Sequence, residues 1–186
     1  MAMPRGLRTA VALAAGSALA VTLGFAAVRA APIDNELADK QLLFPLPLAQ
    51  SKGLRDSFSE SRGGHRHEAV DIMAPRGTPV RAVDNGRIAK LFTSVPGGKT
   101  IYQFDATDTY TYYYAHLDRY ADGLADGALV KRGDVIGYVG STGNAAPNAP
   151  HLHFAIFRLG MLRQWWKGEA IDPYPYLVTA AKTPER

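Results

Sequence analysis

The chain has 186 residues, a formal net charge of +4 and 47% hydrophobic residues, a length and composition typical of one globular domain. It contains no cysteine, which excludes disulfide bonds as a source of stability. Its basic residues are scattered rather than gathered into a stripe with interleaved aromatic residues, so the sequence does not indicate binding to nucleic acid.

Residues 1–30 have the composition of an export signal. Arg5 and Arg8 precede an apolar run over residues 9–28, and Ala30 provides a small residue at which cleavage is favoured. Because the run is nearly long enough to span a bilayer, it is either a signal peptide or an N-terminal membrane anchor. Both interpretations predict an exported protein of the periplasm or cell envelope, and the second would hold it at the inner membrane. Contact with a membrane is expected through this segment alone.

Residues 31–50 form a proline-containing segment that is predicted to be a linker or to dock on the domain that follows. Pro45 and Pro47 exclude a regular helix or a central strand there. A flap over the functional site is a further interpretation of the segment. Docking is favoured over a free tether by five apolar residues, namely Leu42, Leu43, Phe44, Leu46 and Leu48.

Residues 51–178 are predicted to form one domain made mostly of β-strands. An Asp-Asn-Gly sequence at residues 84–86 is a strong hairpin signal, because Asn-Gly favours the tight turns that join antiparallel strands. It predicts a hairpin between strands at residues 78–83 and 87–92. The expected fold class is therefore all-β with antiparallel strands.

A tyrosine-rich strand at residues 109–116 is predicted to form a second hairpin with residues 100–104. Side chains alternate between the faces of a strand, so Tyr110, Tyr112 and Tyr114 are expected to share a face with His116. Aromatic residues pack well across strands, which assigns the first two tyrosines to the core. Tyr114, nearest to His116, is predicted to line a substrate groove.

The remaining elements are short. Residues 127–140 predict two strands around a Lys-Arg-Gly-Asp turn. Residues 158–169 are expected to form a short helix or an extended loop, in which Trp165 and Trp166 cover an edge of the core. Residues 179–186 are predicted to be a polar, frayed tail.

Two pairs of residues predict a metal site. His151 and His153 belong to a predicted strand at residues 151–157 and, being two apart, point to the same face. The spacing of His67 and Asp71 likewise places an imidazole and a carboxylate on one side of the chain. Nitrogen and oxygen ligands of this kind suit zinc.

His65 has the same spacing from His67 as His151 has from His153. It follows Gly63 and Gly64, however, and glycine-rich polar sequences are typical of loops. We therefore predict that His65 lies at the end of a loop and is not a metal ligand.

Three motifs follow one another along the chain. They are residues 66–80, then Tyr114-Ala115-His116-Leu117, then Gly140-Ser141-Thr142-Gly143 with Pro150-His151-Leu152-His153-Phe154. In this order they resemble the signatures of the lysostaphin-like, or LytM-type, zinc metalloendopeptidases, a family of peptidoglycan hydrolases. The resemblance covers about residues 54–177. Two positions depart from the family pattern, namely Ala69, where glycine is usual, and Ala155, where an acidic residue is common.

The resemblance implies a β-sandwich-like antiparallel domain whose open groove holds one zinc ion between walls made of loops. It implies that His67, Asp71 and His153 bind zinc, and that His116 and His151 are catalytic. The reaction implied is hydrolysis of peptide bonds in the cross-linking peptides of bacterial cell-wall peptidoglycan. Which of the two catalytic histidines is the general base, which cross-link is cut and how many chains associate all stay open.

Three alternatives to a peptidoglycan endopeptidase stay open. The first is a non-catalytic LytM-type module that binds the cell wall or activates another hydrolase. The second is a zinc enzyme that acts on another peptide or on a small amide. The third is a small β-barrel binding module, which as a carrier would need a modifiable lysine such as Lys131 at a hairpin tip.

Overall fold

A nine-stranded antiparallel sheet is the main structural element and confirms the predicted all-β, antiparallel fold class. The computed structural model describes residues 34–183. In chain order the elements are helix α1 (Asn35–Asp39), a 3₁₀ helix (Leu48–Gly53), and strands β1 (Ser61–Arg62), β2 (His65–Arg66), β3 (Val70–Met73), β4 (Pro79–Arg81), β5 (Gly86–Ser94), β6 (Gly98–Asp105), β7 (Tyr110–Tyr120), β8 (Leu129–Val130), β9 (Val135–Val139), β10 (His151–Leu159) and β11 (Gly168–Ile171), followed by helix α2 (Tyr174–Lys182).

Strand β10 pairs with three other strands, namely β3, β7 and β11. The strands follow the order β11-β10-β7-β6-β5-β8, while β3 joins β10, and β9 pairs with both β4 and β7. Strands β1 and β2 form a separate two-stranded sheet. On one edge of β10, His153 is opposite Ala115 of β7, and on the other edge it is opposite Asp71 of β3. Residues that are far apart in the sequence are therefore neighbours of His153 in the sheet.

The side chains of β10 alternate as the sequence predicted. Leu152, Phe154 and Ile156 are fully buried in the core, whereas His151 and His153 on the opposite face are partly exposed. Burial of one face fixes the register of the strand, because a shift by one residue would put the histidines into the core. The hydrophobic pattern of β10 thus also orients the two imidazoles.

The hairpin predicted around Asn85-Gly86 is wrong, because β4 pairs with β9 and β5 pairs with β6. A two-residue Asn-Gly turn requires positive φ, and neither of these residues adopts it. Gly86 has a different reason to be glycine: a Cβ atom there would lie 1.9 Å from the carbonyl oxygen of Phe104 on β6. The glycine permits close strand pairing, which produces the same sequence signal as a turn.

The other expected elements are found with different partners or limits. The hairpin between residues 100–104 and 109–116 is confirmed as β6 and β7. Residues 127–140 do contain two short strands, but β8 pairs with β5 and β9 with β4 and β7, so they do not form a hairpin. Residues 160–167 form a loop between β10 and β11 rather than a helix.

Both ends of the described chain pack on the sheet. In the N-terminal segment Leu37, Phe44 and Leu46 are fully buried in the core, so residues 34–50 dock on the domain. Helix α2 continues to Lys182 and buries Ala180, so residues 179–182 are not a frayed tail. The predicted export segment lies outside the described residues. Within residues 34–183 we find no helix with the length and hydropathy needed to cross a membrane.

Candidate metal centre

Three side chains from two strands and a loop converge at one end of β10. His67 precedes β3, and its Nε2 atom lies 3.1 Å from Asp71 Oδ1 and 3.1 Å from His153 Nδ1. The third distance, from His153 Nδ1 to Asp71 Oδ1, is also 3.1 Å. The cross-strand pairing of Asp71 with His153 sets this geometry, since side chains directly opposite each other on two strands are neighbours.

The three atoms are electron-pair donors that face one another. His67 Nδ1 lies 3.1 Å from the carbonyl oxygen of Ser57, which can only accept a hydrogen bond, so the ring proton is on Nδ1 and Nε2 carries a lone pair. Burial lowers the pKa of His153, and together with the neighbouring imidazoles of His67 and His151 it outweighs the Asp71 carboxylate, which raises the pKa. Burial raises the pKa of Asp71, but the imidazoles of His153 and His67 outweigh it and keep the carboxyl ionised.

This arrangement fits a bound metal ion. A tetrahedral zinc site with nitrogen and oxygen ligands at about 2.0–2.1 Å has about 3.3 Å between neighbouring ligand atoms, close to the three distances of 3.1 Å. Two imidazole nitrogens and a carboxylate oxygen at these separations can bind one cation together. His67, Asp71 and His153 are therefore the residues that would hold the ion.

Two further imidazoles lie beside this group. His116 Nδ1 donates to the carbonyl oxygen of Thr142 at 2.8 Å, and His151 Nδ1 donates to that of Ala149 at 2.9 Å. The two rings are 4.8 Å apart between centroids, and His151 Nε2 lies 3.7 Å from Asp71 Oδ1. In both rings Nε2 is left as the proton acceptor. Burial lowers the pKa of His116 to about 4, opposed by the Thr142 carbonyl, so this ring is neutral at neutral pH.

His116 reaches the site through an unusual backbone conformation. Its φ is 60°, in the left-handed region that few residues other than glycine adopt. The regular alternation of β7 breaks there, and the register with β9 shifts between Leu117 and Arg119. As a result His116 lies on the same side of the sheet as Tyr113, which lines the site, and not on that of Tyr114.

The predicted groove position of Tyr114 is therefore wrong. Its side chain is fully buried in the core, where the hydroxyl donates to Gln103 Oε1 at 2.7 Å and accepts from the Val83 amide at 3.1 Å. Tyr113 takes the groove position instead, with its ring 5.9 Å from that of His153. Tyr110 and Tyr112 belong to the core, as predicted.

Two glycine-containing loops hold His116 in place. The carbonyl oxygen of Gly97 accepts from the His116 amide at 2.8 Å, and Thr142 Oγ1 donates to the carbonyl oxygen of Leu117 at 2.8 Å. Gly143, with φ of 76°, packs so closely on the first loop that a Cβ atom would lie 2.3 Å from the Gly98 amide nitrogen. The Gly140–Gly143 motif thus positions the carbonyl group that orients His116.

A groove of about 750 Å³ runs over the five residues of the site. Arg55, Arg62 and Tyr113 are among the residues that line it. His65 lies in strand β2 at the rim of this groove, so its predicted place at the end of a loop is wrong. It is not part of the group of three candidate ligands. None of the groove-lining residues comes from the docked segment at residues 34–50, which argues against a flap over the site.

Arg62 was not among the residues that the sequence singled out, yet it contacts the metal group directly. Its Nη2 atom donates to Asp71 Oδ2 at 2.9 Å and to Glu60 Oε2 at 3.1 Å. The other carboxylate oxygen, Oδ1, faces His67 and His153. Arg62 thereby holds the carboxylate in an orientation that offers one oxygen to an ion. The pairing of β1 with β2 places Arg62 beside Asp71, and the spacing of residues in the sequence does not indicate that pairing.

Comparisons with known proteins indicate a family of peptidases. The profile of peptidase family M23 matches residues 65–173, more than half of the chain. The chain is 36% identical over 142 residues to an L-Ala–D-Glu endopeptidase of Bacillus subtilis, covering 72% of this chain and 42% of the relative. It is 35% identical over 118 residues to lysostaphin of Staphylococcus simulans, covering 63% and 22%. The chain thus spans less than half the length of these curated relatives.

Solved structures give the same fold. The catalytic domain of lysostaphin from Staphylococcus simulans superposes with a TM-score of 0.59 at 29% identity, covering 72% of this chain and 98% of that domain. A putative glycyl-glycine endopeptidase from Ruminococcus gnavus superposes with a TM-score of 0.62 at 32% identity, covering 74% and 59%.

Proposed function

Because the chain belongs to peptidase family M23, we propose that it is a zinc-dependent endopeptidase that hydrolyses cross-linking peptides of bacterial peptidoglycan. The observation that carries the proposal is the convergence of His67, Asp71 and His153 to 3.1 Å, beside two imidazoles that are not part of the ligand group. The composition of residues 1–30 supports export to the periplasm or cell envelope, where this substrate is found.

The residues divide into ligands and proton carriers. Zinc held by three protein ligands leaves one position for water and lowers the pKa of that water to about 7. His116 and His151 each present an unprotonated Nε2 atom, fixed by the hydrogen bond from Nδ1 to a backbone carbonyl. One imidazole would accept the proton of the attacking water at its Nε2 atom and then give that proton to the leaving amine. The other imidazole, once protonated at Nε2, would stabilise the negative charge that develops on the scissile carbonyl oxygen.

A non-catalytic member of the family would not need this set of residues. Modules that only bind the cell wall or activate another hydrolase have no use for three metal ligands and two oriented imidazoles. Here all five are in place around one groove. The carrier alternative at Lys131 leaves them equally unexplained, and the intact site favours catalysis.

The proposal is tested by zinc content and by release of soluble peptides from purified peptidoglycan, comparing the parent protein with His151→Ala. We expect about one zinc per chain in both proteins and a loss of turnover of about 10²–10⁴-fold in the variant, the usual effect of removing a positioned acid or base. A parent protein that neither binds zinc nor releases peptides would refute the enzyme.

Arg62→Ala is expected to weaken zinc binding about 10–100-fold, because groups that hydrogen-bond to a ligating side chain and orient it contribute about that much affinity. The fold should persist, since the Arg62 side chain is 41% exposed. The measurement is a zinc dissociation constant by competition with a chromophoric chelator.

Arg55→Ala is the matched control for this change. Arg55 pairs with the same Glu60 and lines the same groove, but its side chain makes no hydrogen bond to Asp71. It should keep the zinc affinity of the parent. Equal dissociation constants for the two variants would show that Arg62 does not orient the carboxylate.

A further inference from the structure

The loop between β10 and β11 exposes a group of large apolar side chains. Met161 is 98% exposed, Leu162 81% and Trp166 61%, and we call these three residues the apolar tip. Large apolar side chains exposed together on one loop are a feature of interaction sites on soluble proteins. None of the three belongs to the catalytic machinery or to the lining of the metal groove.

The apolar tip is presented by an ordered loop. Trp165, between the exposed residues, packs against Phe92 at 5.4 Å and Tyr102 at 4.7 Å between ring centroids. Backbone hydrogen bonds from Arg163 to Gly160 and from Lys167 to Gln164 close two turns of the loop. Exposure of the tip is therefore a consequence of a fixed loop structure.

A continuous row of aromatic rings joins this loop to the metal group. Trp165 contacts Tyr102, whose ring lies 4.7 Å from that of Tyr113, and Tyr113 in turn contacts His153 at 5.9 Å. Opposite Tyr113 on β10 is Ala155, which is 1% exposed, where an acidic residue is common in the resembling family. The residue opposite Tyr113 therefore adds no charge beside the row, and the apolar tip lies beyond the far end of the row on the same loop.

The positive charge of the loop indicates the chemistry of the partner that it would bind. Residues 160–167 contain Arg163 and Lys167 and no acidic residue. Within residues 34–183, no carboxylate lies within ion-pair distance of either cation. Two copies of this loop would repel each other, whereas a partner with both apolar faces and carboxylates complements it.

We propose that the apolar tip binds the saccharide strand of peptidoglycan next to the groove, a step that rests on the proposed function. Sugar rings and their N-acetyl methyl groups offer apolar faces to tryptophan, leucine and methionine side chains. The peptides attached to the sugar strand carry free carboxylates close to the sugar rings, and these complement Arg163 and Lys167. The tip holds the polymer while the peptide enters the metal groove, which raises the local concentration of scissile bonds.

The test uses a full-length variant with Met161→Ser, Leu162→Ser and Trp166→Ala. Co-sedimentation with insoluble peptidoglycan is expected to show a dissociation constant about tenfold weaker than that of the parent, consistent with the loss of exposed aromatic anchors at a binding surface. Leu129→Ser is the control, because Leu129 is 85% exposed on β8, outside the loop and the groove. It should bind like the parent.

A second measurement separates the saccharide from the peptide. Hydrolysis of sugar-free cross-linked peptides should proceed with unchanged kcat/KM in the tip variant, because its five site residues are intact. A kcat/KM reduced as much as the binding would assign the tip to peptide recognition and overturn the proposal. Sedimentation of the variant with peptidoglycan that equals that of the parent would also overturn the proposal. If the variant then loses binding to phosphatidylglycerol vesicles, the tip binds a membrane and not the saccharide.

Failure of the proposed function would look different. A parent that sediments with peptidoglycan through the tip yet hydrolyses neither substrate would leave the saccharide site intact and refute the endopeptidase.

Discussion

Replacing His153 with alanine is expected to abolish zinc binding and hydrolysis together, whereas replacing His116 is expected to abolish hydrolysis alone. His153 Nδ1 is one of the three atoms that converge at 3.1 Å, so its loss leaves an incomplete ligand set. His116 instead faces the site from the neighbouring strand, and its ring is 4.8 Å from that of His151. In the proposed mechanism His116 transfers a proton and is not a metal ligand, so its removal should cost about 10²–10⁴-fold in turnover.

The measurement is zinc stoichiometry by atomic spectroscopy, together with peptide release from peptidoglycan. His65→Ala serves as the control, since this histidine lies at the rim of the groove and outside the ligand group. It should keep both properties. Equal zinc loss in the His116 and His153 variants would contradict the division of roles.

Replacing Asp105 with alanine is expected to destabilise the fold by about 3–5 kcal/mol, the usual cost of removing one member of a buried ion pair. The Asp105 side chain is fully buried and lies 2.8 Å from Lys40 Nζ. It also accepts hydrogen bonds from the amides of Thr109 and Tyr110 at 2.7 and 2.8 Å. Alanine would leave these buried donors without an acceptor and release the docked N-terminal segment from the β6–β7 loop.

Urea denaturation at neutral pH measures this loss, and Asp126→Ala is the matched control. Asp126 also pairs with a lysine and accepts from a backbone amide, but on the exposed surface, where an ion pair contributes at most about 1 kcal/mol. Similar free energies of unfolding for the two variants would show that burial does not strengthen the Asp105 contacts.

The Asp105 contribution should also depend on pH. Burial raises the pKa of this carboxyl, but the hydrogen bonds from Lys40, Thr107 and Tyr110 outweigh it, so the folded pKa lies below the ordinary value of 3.8. A depressed folded pKa stabilises the protein above the unfolded pKa, and this stability is lost as the pH falls through the folded value. The difference between parent and Asp105→Ala should therefore be constant at neutral pH and shrink below about pH 4.

The sequence predicts the parts of the structure that depend on side-chain periodicity. The alternation in residues 151–157 gives the buried face of β10 and places His151 and His153 together on the other face. Residues whose placement depends on tertiary pairing are not accessible in this way. Asn85-Gly86 reads as a hairpin turn, but the glycine serves close packing of β5 on β6.

The site also contains some residues that the sequence predicts and others that depend on tertiary pairing. The spacing pairs His67 with Asp71, whereas the family resemblance adds His153 to this group. The exchange of Tyr114 for Tyr113 does not follow, because periodicity assumes an extended backbone throughout β7 and His116 departs from it. The role of Arg62 likewise cannot be predicted from the sequence, since its contact with Asp71 depends on the small sheet of β1 and β2.

The left-handed backbone at His116 also has an evolutionary consequence. This conformation costs a non-glycine residue roughly 1–2 kcal/mol, and strain of this size persists where function requires it. Glycine at this position would relieve the strain but could not carry a proton. Selection for stability and selection for activity therefore act in opposite directions at residue 116. The chain retains the histidine although its backbone conformation lowers the stability of the fold.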